Sequence, residues 1–215
     1  NDIESSWAGL RPLIHEEGKS ASELSRKDEI FVSPSGLISI AGGKLTGYRK
    51  MAERVVDMVT ERSGREDLLE CFTDKISLNK NNFNHAEAVA AFRQSIHDQL
   101  EGFNLSAYSD YLVENYGRQT EDVIRQLQAF HDDDPSVQLA RAELKFTIEN
   151  EMVVSILDFF IRRTGMLFFD MPRLLKVKDA ILVDMNVMMR WDAKQLQVEQ
   201  EKLEQAIKEA RITTS

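Results

Sequence analysis

Residues 36–54, GLISIAGGKLTGYRKMAER, decide how the first part of this chain folds. A short apolar run leads into two adjacent glycines, and an amphipathic pattern follows them. Glycine adopts positive φ without strain and lets another molecule approach the backbone closely. The order therefore predicts a strand, a tight turn and a helix, with Thr46 as the N-cap of the helix.

The turn before this helix has two features of an anion-binding site. The free N–H groups and the positive end of the helix dipole point into the turn, and Lys44 adds a full charge. Junctions of this kind also serve only to pack a helix onto a sheet, so the pattern alone leaves both interpretations open. The turn is not a nucleotide P-loop, because Leu45 and not Ser or Thr follows the lysine. A Rossmann fingerprint is also missing.

Outward from this stretch, the chain falls into three predicted parts. We expect residues 1–64 to be the end of one domain, 65–84 to be a polar linker and 85–215 to be an all-α domain. Within the first part, the pattern predicts a strand pair around a turn at 33–36, and then the helix, which stops at Ser63–Gly64. The linker holds one weak extended piece at 74–78.

The last part is helical nearly throughout, so the predicted fold class is mainly α. Apolar residues recur at helical spacing in each segment. The predicted helices cover 85–101, 106–116 and 119–130, a central helix within 137–163, and two helices that follow the caps Asp170 and Asp192 and end near 190 and 210.

Composition excludes several classes of protein. The net charge of −9 argues against a nucleic-acid partner. The sequence has no apolar run of the roughly 18 residues that a membrane span needs. The single cysteine, Cys71, excludes an internal disulfide and fits a reducing compartment. We therefore expect a cytoplasmic protein.

Two segments hint at a metal site. His15 lies beside two glutamates, and residues 132–134 are three consecutive aspartates before a proline. His15 has no second histidine at ligand spacing, and an aspartate before proline and a helix is ordinary capping chemistry. We therefore expect solvated loops in both places and no metal.

Two motifs in order, residues 7–13 (WAGLRPL) and 41–53 (AGGKLTGYRKMAE), closely resemble the FAD-dependent, aerobic glycerol-3-phosphate dehydrogenases. In that family both motifs lie late in the flavin domain, and a helical C-terminal domain follows. The resemblance implies that the chain is the C-terminal part of such an enzyme, with a short strand-and-helix remnant of the flavin and substrate domain. A start without a methionine or a signal-peptide pattern agrees with this expectation.

The resemblance also implies an activity and a set of site residues. The whole enzyme oxidises sn-glycerol 3-phosphate to dihydroxyacetone phosphate by hydride transfer to FAD and passes the electrons to quinone. Arg11 and Lys44 are expected to bind the substrate, and a guanidinium suits this role because its planar fork grips phosphate oxygens. The residues expected to bind the flavin are Gly42, Gly43, Lys44, Leu45 and Thr46.

Other family features extend this expectation. The helix after the turn aims its N-terminus at the flavin, where it stabilises negative charge on the reduced ring. Many members carry threonine where this chain has Gly47, so this chain offers no hydroxyl at that position. The family also has an Arg-Arg-Thr sequence, which matches residues 162–164.

Two alternatives stay open. A glycerol-3-phosphate oxidase would pass the electrons to oxygen, and a non-catalytic helical interaction module would need no complete site. The sequence does not identify a catalytic base. We expect that this chain alone does not bind FAD, and that the full enzyme attaches peripherally to the inner face of the membrane and forms a homodimer.

Overall fold

The computed structural model describes residues 5–9, 28–65, 67–76, 83 and 85–211. The chain forms two compact units. We call residues Gly9–Leu78 the hairpin unit, and we call Asn1–Ala8 together with Asn79–Ser215 the helical unit. The predicted mainly α fold class is confirmed. The helical unit consists mostly of helices, and the hairpin unit contains a two-stranded sheet.

The hairpin unit begins its described part with a β-hairpin. Strand β1, Asp28–Val32, pairs antiparallel with β2, Ile38–Gly42. The connection closes through a 2.9 Å hydrogen bond from the Ser33 amide to the Leu37 carbonyl. Gly36 supplies the positive φ, 88°, that this turn requires. The predicted strand pair is therefore confirmed.

Helix α1, Tyr48–Ser63, follows the hairpin and ends at Gly64, whose φ of 64° is left-handed, as the predicted stop requires. The predicted N-cap is wrong. A short 3₁₀ turn, Leu45–Gly47, precedes α1, so Thr46 lies inside that turn and Gly47 stands at the cap without a side-chain bond. A 3₁₀ turn also occupies Thr73–Lys75, where the sequence predicted an extended piece.

The helical unit starts with three helices around one apolar cluster. These are α2 (Ala86–Glu101), α3 (Ser109–Tyr116) and α4 (Thr120–Leu127). The His85 side chain accepts a hydrogen bond from the Ala88 amide and so caps α2. The central helix α5, Pro135–Glu151, then follows its cap Asp134.

Helix α5 joins the two hydrophobic clusters of the unit. Leu139 and Phe146 pack with α2, α3 and α4, whereas Ala140 and Leu144 pack with the later helices. Ten of the 17 residues of α5 are buried, and polar side chains such as Gln138 and Glu143 are among them. The predicted central helix is confirmed.

The chain leaves the α-helical path after α5. Met152 adopts a left-handed φ of 59°, and the next segment is a π-helix, Asp158–Arg163. Asp158 accepts the Ser155 amide while the Ser155 hydroxyl accepts the Asp158 amide, which is a capping box. The buried Glu199 carboxylate accepts the Ile156 amide at 2.9 Å.

Three further helices complete the helical unit. They are α6 (Met166–Phe169), α7 (Met171–Met189) and α8 (Ala193–Ala210). Asp170 and Asp192 cap the last two through the Arg173 and Gln195 amides, as predicted. None of the helices in the described parts of the chain is long and apolar enough to cross a membrane.

Candidate functional site

The candidate site is the turn between β2 and α1. Gly42 and Gly43 both have positive φ, 79° and 87°. A Cβ on Gly43 would lie 2.6 Å from Met51 Sδ and 3.3 Å from Asp28 Cβ. The positive φ favours glycine at position 43, and a side chain there would also displace the flexible end of Met51, whether or not a ligand approaches the turn.

The next residues carry exposed side chains. Lys44 has an extended backbone, and its carbonyl accepts the Gly47 amide at 2.8 Å. Leu45 is 91% exposed, and Thr46 is exposed as well. Within the described residues, Lys44 has no ion-pair partner. The turn thus presents an exposed cation that no other described residue pairs with.

The other two basic side chains at the start of α1 are already paired. Arg49 donates to Glu53 at 2.9 Å and to the Thr73 hydroxyl at 3.3 Å, and Lys50 donates to Glu53. The hydrogen bond from Lys50 is the main cause that lowers the pKa of Glu53. Among these three cations, Lys44 is the one without a partner in the described part of the chain.

A broad apolar groove runs along α1 within the hairpin unit. Its volume is 1110 Å³, and its lining includes Tyr48, Val56, Leu68 and Phe72. The sequence did not predict this groove, because the polar composition of residues 65–84 indicated a linker. The signal was present in the apolar side chains of residues 68–76, which follow the helix at short intervals.

Two of the predicted candidates, Arg11 and His15, lie outside the described residues. The structure places the other candidates together, since Gly42 to Thr46 form one continuous turn. The aspartates at 132–134 lie elsewhere, in the helical unit. Asp134 caps α5 and pairs with Lys176, and Asp132 accepts the Asp134 amide.

The helical unit contains a buried charged network that the sequence did not predict either. Arg173 donates to Glu143 at 2.7 Å, and the hydroxyls of Tyr111 and Tyr116 donate to the same carboxylate at 2.6 and 3.0 Å. Burial is the first cause that raises the pKa values of both tyrosines, and the Glu143 charge is the second. Burial alone would lower the pKa of Arg173, but the Glu143 charge raises it.

The Arg-Arg-Thr sequence serves the π-helix and its neighbours. Arg162 pairs with Asp158, and Arg163 donates to the Glu151 carbonyl at the end of α5. The Thr164 hydroxyl donates to the Phe159 carbonyl at 2.8 Å. Each of these side chains satisfies a group at a helix end or in the π-helix, so their roles in this structure are structural.

With this geometry in place, the chain can be compared with known proteins. The sequence pattern of a family described as the C-terminal domain of alpha-glycerophosphate oxidase matches residues 71–196, more than half of the chain. The chain belongs to this family. The matched range contains α2 to α7 and the start of α8, so the family of the alpha-glycerophosphate oxidase C-terminal domain accounts for most of the helical unit.

Curated relatives extend this likeness into the hairpin unit. The aerobic glycerol-3-phosphate dehydrogenase of Bacillus subtilis is 43% identical over 89% of this chain and 36% of its own length. The enzyme of the same name from Staphylococcus aureus is 39% identical over 98% of this chain and 39% of its own. The chain therefore spans less than two fifths of the length of these relatives.

A solved structure has the same fold as this chain. The glycerol-3-phosphate dehydrogenase of Bacillus halodurans, complexed with FAD, aligns with a TM-score of 0.80 and 37% identity. The alignment covers 97% of this chain and 40% of the other. The predicted resemblance to FAD-dependent glycerol-3-phosphate dehydrogenases is confirmed.

Proposed function

We propose that this chain supplies part of the active site of an FAD-dependent glycerol-3-phosphate dehydrogenase. The observation that carries the proposal is the turn at residues 42–46 shortly before the long helix α1. It joins two positive-φ glycines to an exposed lysine that has no ion-pair partner among the described residues. The aerobic glycerol-3-phosphate dehydrogenases similar to this chain support the choice of substrate and cofactor.

The turn fits the electron-rich edge of a flavin. Its glycines leave the backbone open to close approach, and the first turn of α1, whose residues are all described, carries no acidic side chain. Gly42, Gly43, Lys44, Leu45 and Thr46 would hold FAD. The chemistry that FAD would supply when bound is acceptance of the hydride from C2 of glycerol 3-phosphate; loss of the C2 hydroxyl proton as well gives dihydroxyacetone phosphate.

The protein groups supply charge and position. The positive end of the α1 dipole and the Lys44 ammonium stabilise negative charge that develops beside them. Arg11, four residues after Trp7, would bind the phosphate of the substrate bidentately. In this proposal, residues 1–64 are the end of the flavin and substrate domain, 65–84 the linker and 85–215 the helical domain.

Partners and location follow the same proposal. Quinone takes the electrons from the full enzyme, which is cytoplasmic, binds peripherally to the inner face of the membrane and forms a homodimer. A second function, oxidation by oxygen, has one observation in its favour, since the description of the matching family names an oxidase. Oxygen consumption and quinone reduction, measured on the same preparation, separate the two.

The test uses a flavin-loaded enzyme of the length that the relatives have. Lys44→Ala and Arg11→Ala should each lower kcat/KM for glycerol 3-phosphate about 10- to 100-fold while bound flavin stays near one per chain, because each removes a charged hydrogen bond. Lys50→Ala is the matched control, since Lys50 is a nearby exposed lysine already paired with Glu53. Full activity in both test variants would make the turn purely structural.

A second measurement concerns this chain by itself. Equilibrium dialysis of FAD should give negligible binding, because the turn supplies contacts to only one part of such a large cofactor. Tight binding of one FAD per chain would contradict the proposed division of the site.

A further inference from the structure

The apolar groove along α1 has two walls, and both belong to the hairpin unit. Side chains of α1 between Tyr48 and Glu61 form one wall, and side chains of residues 67–76 form the other. The Arg49 guanidinium donates to the Thr73 hydroxyl at 3.3 Å and so links the two walls. The groove is therefore a feature of one unit by itself.

The groove exposes large apolar side chains next to one another. Leu69 is 85% exposed and Val56 is 60% exposed. Four further apolar side chains of the lining are about half exposed, namely Tyr48, Leu68, Phe72 and Ile76. Single exposed apolar side chains are ordinary, but a contiguous apolar surface with a polar border marks an interaction site. We therefore expect an apolar partner to cover this groove.

The border of the groove is acidic. Its charged side chains are one guanidinium and six carboxylates, namely Arg49, Glu53, Asp57, Glu61, Asp67, Glu70 and Asp74. Arg49 pairs with Glu53, and Asp67 pairs with Arg65. Within the part of the chain that the structure describes, the other four carboxylates have no ion-pair partner. This charge repels anionic partners such as a phospholipid surface or a nucleic acid and attracts a cationic partner.

The length of the groove favours a helix among the cationic partners. Residues 48–61 form the α1 wall, and an α-helix rises 1.5 Å per residue, so this wall is about 20 Å long. A helix of about 14 residues has the same length. An amphipathic helix binds such a groove through its apolar face, and its flanking side chains then lie beside the border.

We propose that this groove is a docking site for an amphipathic helix of a partner protein. The apolar stripe of that helix lies between the two walls, and lysine or arginine side chains on its flanks pair with Asp57, Glu61, Glu70 and Asp74. The groove is distinct from the turn at residues 42–46, so the docking site does not rest on the proposed function.

The test is a binding measurement on the flavin-loaded enzyme of the length that the relatives have. The probe is a fluorescein-labelled synthetic helix of about 14 residues, with leucines along one stripe and lysines on both flanks. Fluorescence anisotropy should show saturable binding. A peptide with glutamates in place of the lysines should bind at least about 10-fold more weakly, because the carboxylates repel it. A peptide of unchanged composition without the apolar stripe should lose affinity by at least about 10-fold as well.

Leu69→Ala and Glu70→Lys test the apolar and the charged part of the groove separately. Both side chains are exposed, so neither change should disturb the fold. Each should weaken binding of the lysine peptide about 10-fold, the first through lost apolar contact and the second through repulsion. Leu37→Ala and Glu29→Lys are the matched controls, because they make the same changes at exposed residues of the same unit outside the groove lining. These controls should change the affinity less than about twofold.

Several results would overturn the proposal. If the enzyme shows no saturable binding of the lysine peptide, the groove is closed to a partner helix. If Glu29→Lys weakens binding as much as Glu70→Lys does, the peptide responds to net charge and not to the groove. Binding to phosphatidylglycerol vesicles, or self-association of the enzyme, that Leu69→Ala abolishes would assign the groove to a lipid surface or to a second copy. These readouts need no activity, so they leave the proposed function untouched.

Discussion

The helical unit and the hairpin unit place their apolar side chains differently. In the helical unit, large side chains such as Phe146, Phe159 and Phe160 are completely inaccessible to solvent. Among the described residues of the hairpin unit, none is buried, and Phe31 and Leu69 are exposed. The helical unit therefore holds its fold with its own core, whereas local backbone geometry shapes the described part of the hairpin unit.

This difference predicts where a substitution acts. In the helical unit a buried change should lower the stability of the whole unit, because its clusters meet on α5. In the hairpin unit a change of similar chemistry should loosen only the turn or strand that contains it. Substitutions in both units test this contrast.

The largest effect is expected from Glu143→Ala. It leaves the Arg173 guanidinium buried without its carboxylate and removes the acceptor of two tyrosine hydroxyls. Breaking a buried ion pair on one side costs about 3–5 kcal/mol. Urea unfolding followed by circular dichroism should show this loss in the free energy of unfolding.

Glu149→Ala is the control for that experiment, because Glu149 is an exposed glutamate on the same helix. It should change the free energy of unfolding by less than about 0.5 kcal/mol. If both variants lost a similar free energy of unfolding, the network around Glu143 would not stabilise the fold more than an exposed glutamate does.

A smaller and local effect is expected from Gly43→Ala in the hairpin unit. A left-handed alanine costs about 1–2 kcal/mol, and the new Cβ would also collide with Met51 Sδ. Hydrogen exchange of the β1 and β2 amides should become faster, while amides of α5 keep their rates.

Gly36→Ala separates the two causes. Gly36 has the same positive φ, but a Cβ there would meet no atom within 4 Å. It should show the backbone strain alone and therefore a smaller change than Gly43→Ala. Equal changes at both positions would show that the contact with Met51 is easily relieved.

The smallest effect concerns pH and returns to the helical unit. The hydrogen bond from Lys176 is the main cause that lowers the pKa of Asp134 to about 2. Because this pKa lies below the usual 3.8, the ionised group stabilises the fold above pH of about 4 and loses that contribution as the pH falls toward 2. The site is solvated, so we expect only about 0.5–1 kcal/mol.

Asp134→Asn keeps an oxygen for the cap of α5 and removes the charge. Between pH 4 and pH 2, the wild type should lose about 0.5–1 kcal/mol more of its free energy of unfolding than this variant loses. Asp133→Asn, at an exposed neighbour, should keep the wild-type pH dependence. If Asp134→Asn also keeps it, the pairing with Lys176 is too weak to matter.

Much of the fold was predictable because its signals are local. Asp170 and Asp192 stand at helix starts, Gly64 and Gly165 stand where the backbone turns left-handed, and their effects depend on neighbours within a few residues. The N-cap prediction at Thr46 was wrong because its local signal is ambiguous. A 3₁₀ turn and an α-helix start with the same residue types, and hydrogen-bond geometry alone distinguishes them.

For the candidate site, sequence and structure contribute different parts. The sequence determined the order of strand, glycine turn and helix, and the family resemblance selected the residues of the turn. Only the structure showed that Glu53 pairs with Arg49 and Lys50, and that Lys44 has no ion-pair partner within the part of the chain that the structure describes.

By itself, then, the sequence determined which segments are helical, where most of them begin and end, and which family the chain resembles. Only the tertiary structure decided that Glu143 meets Arg173, thirty positions away, and that Trp7 lies on Phe168 and Phe169. The physical reason is the distance along the sequence between the residues that interact. Caps and turns are set by bonds between near neighbours, whereas a buried ion pair or a ring contact depends on how whole helices pack.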